Sequence, residues 1–141
     1  MLPEMEMLQY IYKTADMGVS GIDSVLSRMD PSPLQKTLES QRSEYLDISR
    51  KARHMIESRG EEAQGAGLMA RTSADWMTAG KMAMDDSPSK IAEMTIQGTT
   101  MGITKTLKHL HDSPEQGETT QLGNRLLRLQ ERNLEEMKKY L

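Results

Sequence analysis

The sequence predicts an all-α fold, a four-helix bundle that forms one domain over residues 1–141. Leu, Met, Glu, Lys, Arg, Gln and Ala dominate the chain, whereas Val occurs twice and Phe is absent. These common side chains lose little conformational freedom in a helix. Apolar residues recur at helical spacing over long stretches, without the alternation that is typical of strands. The pair Ser-Pro, which can cap a helix and begin its first turn, precedes three of these stretches.

The first helix is predicted from about Met5 to Met29 and the second from about Pro33 to Arg59. The motif "DPSPL" separates them, and Gly60 is the expected C-terminal stop of the second helix. Each helix has one apolar stripe. The stripes contain Leu8, Ile11, Tyr12, Ala15, Val19, Ile22, Leu26 and Met29 in the first helix, and Leu34, Leu38, Tyr45, Ile48, Ala52, Met55 and Ile56 in the second.

The second half of the chain is predicted to contain one short and two long helices. The short helix covers about Leu68–Met84, after the polar connector "EEAQGAG", and the third long helix covers about Pro88–His111. The last helix is predicted from Pro114 to about Leu141, with Ser113 as its cap and Gln116 completing a capping box. Its inward residues are Leu122, Leu126, Leu129, Met137 and Tyr140.

The third long helix, "IAEMTIQGTTMGITKTL", carries apolar residues on two opposite faces. A helix that is apolar on both sides is expected to be buried on both sides. We therefore expect it to be the most enclosed helix, with Gly98 and Gly102 turned toward a covering element. That cover is either a second copy of the chain or the short helix, through Leu68, Met69, Trp76, Met77 and Met82.

Each long helix also carries polar residues within or beside its apolar stripe. A buried polar group without a partner costs about 1–3 kcal/mol, so these groups are expected to meet. They separate if the four helices run alternately up and down, and they gather into two layers if the chain crosses over between the second and third helices. Residues 60–87 are long enough for that crossover. One layer would contain Asp23, Gln41, Glu93 and Asn133, and the other Asp16, Glu44, Gln97 and Gln130.

Four stretches, "YIYKTADMGVSGID", "QRSEYLDISRKA", "IAEMTIQGTTMGI" and "RNLEEMKKYL", resemble a group of small bacterial four-helix bundles of the ferritin-like superfamily. The resemblance implies a ferritin-like four-helix bundle with a long crossover containing an extra short helix between helices two and three. It says little about activity.

Ferritin-like oxidases bind two irons through a carboxylate from each of two helices and a Glu-x-x-His from each of the other two. This chain instead has Gln41-x-x-Glu44 and Gln130-x-x-Asn133, without a histidine in either motif. We expect a buried polar network in place of a di-iron site, and no cofactor. The alternative is an atypical divalent-metal site built from Asp16, Glu44 and Glu93.

The composition restricts the remaining classes of function. The chain has no cysteine, which excludes disulfides and thiol chemistry. Its net charge is −3 and its basic residues are scattered, so neither nucleic acid nor a membrane surface is an expected partner. The acidic start "MLPEMEMLQY" is a poor signal peptide and no apolar run is long enough for a membrane span, so neither is expected. Hydrolase and nucleotide-binding motifs are also absent from the sequence. These patterns favour a cytoplasmic, non-enzymatic structural or protein-interaction module without catalytic residues, and with a homo-oligomer as a possible assembly.

Overall fold

The computed structural model describes residues 3–65, 87–114 and 117–141. These residues form four α-helices: α1 (Pro3–Leu26), α2 (Pro33–Glu57), α3 (Pro88–Asp112) and α4 (Glu118–Lys138). The described ranges contain no strand, which confirms the predicted all-α class. None of the described helices is long and apolar enough to cross a membrane.

The Ser-Pro signal begins α2 and α3 as predicted. The Ser32 hydroxyl accepts a hydrogen bond from the backbone N–H of Gln35 at 3.1 Å, and the Ser87 hydroxyl accepts one from the N–H of Lys90 at 3.2 Å. Each bond satisfies one of the N–H groups that the first turn of a helix leaves without a partner. Beyond the end of α2, Gly60 has a φ of +79°, the left-handed conformation expected of a stop residue.

The third Ser-Pro pair does not begin a helix, which corrects the prediction for α4. Ser113 ends α3, and its N–H donates to the carbonyl of His109 at 3.0 Å. The helix α4 begins at Glu118, after Gly117 with a φ of +58° and without a side-chain cap. Gln116 lies outside the described residues.

The ends of three helices meet at Glu4. Its carboxylate accepts hydrogen bonds from Arg59, just beyond α2, at 2.5 Å and from Thr119, in the first turn of α4, at 3.1 Å. We call this the lower end of the bundle. At the upper end, Thr37 near the start of α2 and Tyr140 beyond α4 join their hydroxyl groups at 2.8 Å. Therefore α1 and α4 run upward, and α2 runs downward between the same two ends.

Tyr10 gives the direction of α3. Its hydroxyl hydrogen-bonds with that of Thr106 at 2.8 Å, and its ring stacks on His109 with the centroids 3.7 Å apart. Because these residues belong to the start of α1 and the end of α3, α3 runs downward like α2. The chain thus leaves α2 at the lower end of the bundle and enters α3 at the upper end. Its path after residue 65, including the predicted short helix, lies outside the described residues.

The first residues of that connection lie against α1. Gln9, which is buried, donates from its amide to the carbonyl of Glu62 at 2.8 Å and accepts from the N–H of Gln64 at 2.7 Å. The methyl group of Ala63 packs against the core. The Gln9 carboxamide thus binds the segment that follows α2 through both its nitrogen and its oxygen.

The core is built mainly by α1, α2 and α4. Fully buried apolar side chains repeat along each of these helices, and the pairs α1 with α2 and α3 with α4 make the most extensive contacts. Burial of each Val, Leu, Ile or Met side chain among them is worth about 1.5–3 kcal/mol. The buried apolar residues are Met5, Met7, Leu8, Ile11, Ala15, Ile22, Val25, Leu34, Leu38, Tyr45, Ile48, Ala52, Met55, Ile56, Ile91, Ala92, Leu122, Leu126, Leu129 and Met137.

The prediction that α3 is the most enclosed helix is wrong for the described part of the chain. Only three of its residues are fully buried, and Met101 is 61% exposed on its outer face. Thr95 and Thr100 donate their hydroxyl groups to carbonyls four residues earlier, so these polar side chains need no partner on another helix. Between residues 91 and 110, the exposed residues are Glu93, Gln97, Gly98, Thr100, Met101, Thr104, Lys105, Leu107 and Lys108.

Glycines on α1 and α3 allow two close approaches in the middle of the bundle. A Cβ added at Gly18 would lie 2.8–2.9 Å from three ring atoms of Tyr45, and one added at Gly102 would lie 2.8 Å from Nε2 of Gln130. Gly102 therefore faces into the bundle, and the prediction that it points toward an outer cover is wrong. An added Cβ at Gly98 would meet nothing within 4 Å.

The contact between Gly18 and Tyr45 predicts the effect of an alanine. Gly18→Ala should lower the free energy of unfolding by about 1–3 kcal/mol, because the rigid, buried ring cannot yield without shifting its helix. Gly21→Ala is the matched control in the same helix: an added methyl there meets nothing within 4 Å. It should stabilise the protein by about 0.5–1 kcal/mol through helix propensity. Urea denaturation of the two variants measures both effects, and a stabilised Gly18→Ala variant would contradict the packing.

Candidate functional site

Three carboxamides occupy the middle of the bundle between α2 and α4. Gln41, Gln130 and Asn133 are only 2%, 2% and 1% exposed. Because Thr37 meets Tyr140 and Glu44 meets Arg132, the antiparallel register places Asn133 within about one turn of Gln41. All three were expected to be buried, and the structure places them in the core.

Within the described part of the chain, four atoms of these carboxamides have no hydrogen-bond partner. They are Nε2 of Gln41, Oε1 of Gln130, and both Nδ2 and Oδ1 of Asn133. Reversing the amide of Asn133 does not help, because its donor and its acceptor both lack a partner. Each such group costs about 1–3 kcal/mol when buried. The cluster, which we call the carboxamide layer, therefore destabilises the core unless a further polar group is bound there.

Tyr45 forms the wall of the carboxamide layer on the side of α1. Burial raises the pKa of its hydroxyl, and the nearby side chain of Asn133 partly offsets the rise. That proximity falls short of hydrogen-bond geometry, since neither amide atom of Asn133 has a partner. The phenol is therefore uncharged at neutral pH, and every side chain named in the layer is neutral.

The three carboxylates of the alternative metal site do not converge. Glu44 turns away from the layer and binds Arg132 on the outside of α4. Glu93 lies exposed near the start of α3, 3.4 Å from Nζ of Lys90. Asp16 is partly buried on α1. Among the described residues, His, Cys, Asp and Glu form no group of three or more that could hold a metal ion.

Two further members of the predicted layers also lie at the surface. Asp23 accepts hydrogen bonds from Arg42 at 2.5 and 3.3 Å, on the outside of the α1–α2 hairpin. Gln97 is exposed on α3. The predicted network of eight residues is thus reduced, in its buried part, to Gln41, Gln130 and Asn133. Asp23, Glu44 and Glu93 turn outward to ion pairs, because pairing a carboxylate at the surface is cheaper than burying its charge.

Sequence reasoning missed the roles of Gly18 and Gly102 in this layer. Gly18 lies opposite Tyr45, and Gly102 lies opposite Gln130. Neither glycine has a side chain that could donate or accept a hydrogen bond. Their one sequence signal was glycine within a helix, where it is unfavourable by about 1 kcal/mol against alanine. Identifying the partner of each glycine requires the register between helices.

The histidines lie away from the carboxamide layer. His54 and His111 are exposed, and His109 stacks on Tyr10 near the lower end. Burial lowers the pKa of His109, although the charges of Asp112 and Glu6 act in the opposite direction. The layer therefore contains neither a histidine nor a carboxylate, the two groups that bind a di-iron centre or transfer a proton near neutral pH.

Comparison with known protein families, with curated proteins and with solved structures gives no match to this chain. The family is therefore not identified by comparison. The four described helices establish an all-α bundle, and the ferritin-like resemblance depends on the helical motifs of the sequence.

The orphaned atoms of Asn133 predict that an apolar replacement stabilises the protein. Asn133→Leu should raise the free energy of unfolding by about 1–2 kcal/mol, because it removes two unpartnered polar atoms from the core. Gln121→Leu, at an exposed position of the same helix, should change it by less than about 0.5 kcal/mol. Urea denaturation is the measurement. If Asn133→Leu instead lowered the free energy of unfolding by about 1–2 kcal/mol, the amide would have a bound partner.

His109 predicts a dependence of stability on pH. Its folded pKa lies below the ordinary histidine value of about 6.5, so the unfolded chain takes up the proton first as the pH falls. The free energy of unfolding should therefore decrease as the pH falls through about 6.5, and this contribution should level off below the folded pKa. His109→Gln should reduce the slope between pH 7.5 and 5.5, whereas the exposed control His111→Gln should retain it. An unchanged slope in His109→Gln would contradict this assignment.

Proposed function

We propose that this protein is a non-enzymatic ferritin-like bundle, a structural or protein-interaction module with a neutral carboxamide network where related oxidases carry two irons. The observation that supports it best is the chemistry of the carboxamide layer. Gln41, Gln130 and Asn133 supply no negative charge, and divalent cations such as iron need anionic or imidazole ligands. Carboxamides also cannot serve as general acids or bases near neutral pH.

The two ligand-bearing positions of the ferritin motif are changed on both α2 and α4. In Gln41-x-x-Glu44 the first side chain faces inward, while Glu44 faces outward to Arg132. In Gln130-x-x-Asn133 both side chains face inward, and both are neutral. On the other two helices, the residues that face Tyr45 and Gln130 are glycines, which have no ligand atoms.

The helix directions support the ferritin-like part of the proposal. In that fold two antiparallel hairpins are joined by one long crossover. Here α1 and α4 start at the lower end, α2 and α3 start at the upper end, and Gln9 holds residues 62–64 against α1. We propose that residues 60–87 form the crossover and include a short helix over about Leu68–Met84.

Self-association is a separate part of the proposal. It was expected from a third helix with two apolar faces, but the outer face of α3 is mostly polar. Met101 and Leu107 are its exposed large apolar side chains, at 61% and 40%, and they do not form a continuous stripe. Sedimentation velocity over a hundredfold concentration range would detect a dimer directly.

The metal-binding alternative gives the sharpest test of the proposed function. Protein purified without a chelator should contain less than about 0.1 equivalent of iron, manganese or zinc, since the layer lacks charged ligands. Adding ferrous iron under anaerobic conditions, or manganese or zinc, should leave the melting temperature unchanged. Elemental analysis and thermal denaturation measure the two results.

The variants Glu44→Ala and Glu93→Ala make this test specific. Stoichiometric metal that both substitutions abolish would overturn the proposal and establish a carboxylate site. Metal that survives both substitutions would be bound elsewhere, and it should then be traced with Asp16→Ala. Glu135→Ala is the control, because this carboxylate is exposed and pairs with Lys138 on the solvent side of α4.

A further inference from the structure

A groove on the outside of the bundle lies between α2 and α4. It has a volume of about 160 Å³ and is open to solvent. Its floor is apolar, because Ile48 and Leu129 are 0% and 3% exposed. Its walls carry three guanidinium groups and one carboxylate, from Arg125, Arg128, Arg132 and Glu44.

Two of the three arginines have no partner within the described part of the chain. Arg132 is bound by Glu44, whereas Arg125 and Arg128 make no ion pair or hydrogen bond there. They lie three residues apart on α4, so their side chains project from neighbouring positions of one helix face. The groove is therefore locally positive in a chain whose net charge is −3.

The surroundings strengthen the attraction between these guanidinium groups and an anion. A guanidinium beside an apolar, low-dielectric floor interacts more strongly with an anion than one surrounded by water. Arg125 is only partly exposed, and it lies one turn from the buried Leu129. The groove also already binds an oxyanion at one end, since the Glu44 carboxylate occupies Arg132. Guanidinium groups bind carboxylate and phosphate oxygens in the same paired geometry.

We propose that this groove is a binding site for a small phosphate-class oxyanion, held by Arg125 and Arg128. Two unpaired guanidinium groups match the two charges of a phosphate dianion, whereas one carboxylate would leave a positive charge uncompensated. The groove has a volume of about 160 Å³. It accommodates one tetrahedral oxyanion with a small substituent, which would contact the apolar floor. The site lies outside the carboxamide layer and is independent of the function proposed for the bundle.

Titration with inorganic phosphate at constant ionic strength tests the proposal. Sodium chloride should replace the phosphate salt in the reference solutions, so that the ionic strength stays constant. NMR or calorimetry should detect saturable binding of one phosphate per chain. The double variant Arg125→Gln/Arg128→Gln should weaken binding at least about tenfold, because both charge-assisted contacts are lost. The double variant Arg50→Gln/Arg53→Gln removes the same charge from exposed positions of α2, and its affinity should stay within about twofold of the original.

A third variant keeps the test decisive if the arginine substitutions disturb folding. Glu44→Gln removes the carboxylate that repels the dianion and occupies Arg132, so phosphate should bind several-fold more tightly. Acetate at the same concentration should bind more weakly than phosphate to every variant. Absence of saturable phosphate binding, equal loss in the two double variants, or weaker binding by Glu44→Gln would each overturn the proposal.

Discussion

The packing of two large side chains against two glycines is the constraint on which the middle of this bundle depends. Tyr45 of α2 fills the space beside Gly18 of α1, and Gln130 of α4 fills the space beside Gly102 of α3. The first contact lies within one hairpin and the second within the other, so each fixes the separation and register of its pair. Protein interiors are close-packed, and a change of register would bring a side chain into each glycine position.

The register of α2 against α4 then decides which groups share the core. Gln41 and Tyr45 from one helix face Asn133 from the other, and four carboxamide atoms remain without partners. An apolar core of similar volume would be more stable. The layer therefore lowers the stability of the folded protein, and the burial of apolar residues above and below it offsets this loss. A polar layer can penalise alternative registers, which is the best-attested role of such groups in helical bundles.

The same two helices present different chemistry on their two sides. Facing inward, they offer neutral carboxamides and a protonated phenol, which bind neither a divalent cation nor a proton readily. Facing outward, they offer a groove with three arginines on an apolar floor. Glu44 lies at the boundary between these two sides. It was predicted to belong to a polar layer, but its ion pair with Arg132 makes it part of the outer surface.

Much of this fold is determined by the sequence alone. Helical periodicity and the Ser-Pro pairs identify α2 and α3, Gly60 identifies the end of α2, and the apolar stripes of α1, α2 and α4 identify most of the core. The burial of Gln41, Gln130 and Asn133 was also predictable, since each lies within a strongly apolar stripe. The start of α4 was not, because Ser113 could serve either as its cap or as the end of α3.

Only the tertiary structure decided the orientation of α3 and the fate of the carboxylates. Its threonines and glycines make the amphipathic pattern shallow, so the sequence does not decide which of two opposite faces turns inward, the one with Glu93 or the one with Gly102. Packing against Gln130 selected the rotation that turns the glycine inward and Glu93 outward. Asp23 and Glu44 likewise lie at the margins of their stripes, where an arginine on a neighbouring helix draws each carboxylate to the surface. The sequence specifies the charges at such marginal positions, but the contacts between helices determine whether they face the core or the solvent.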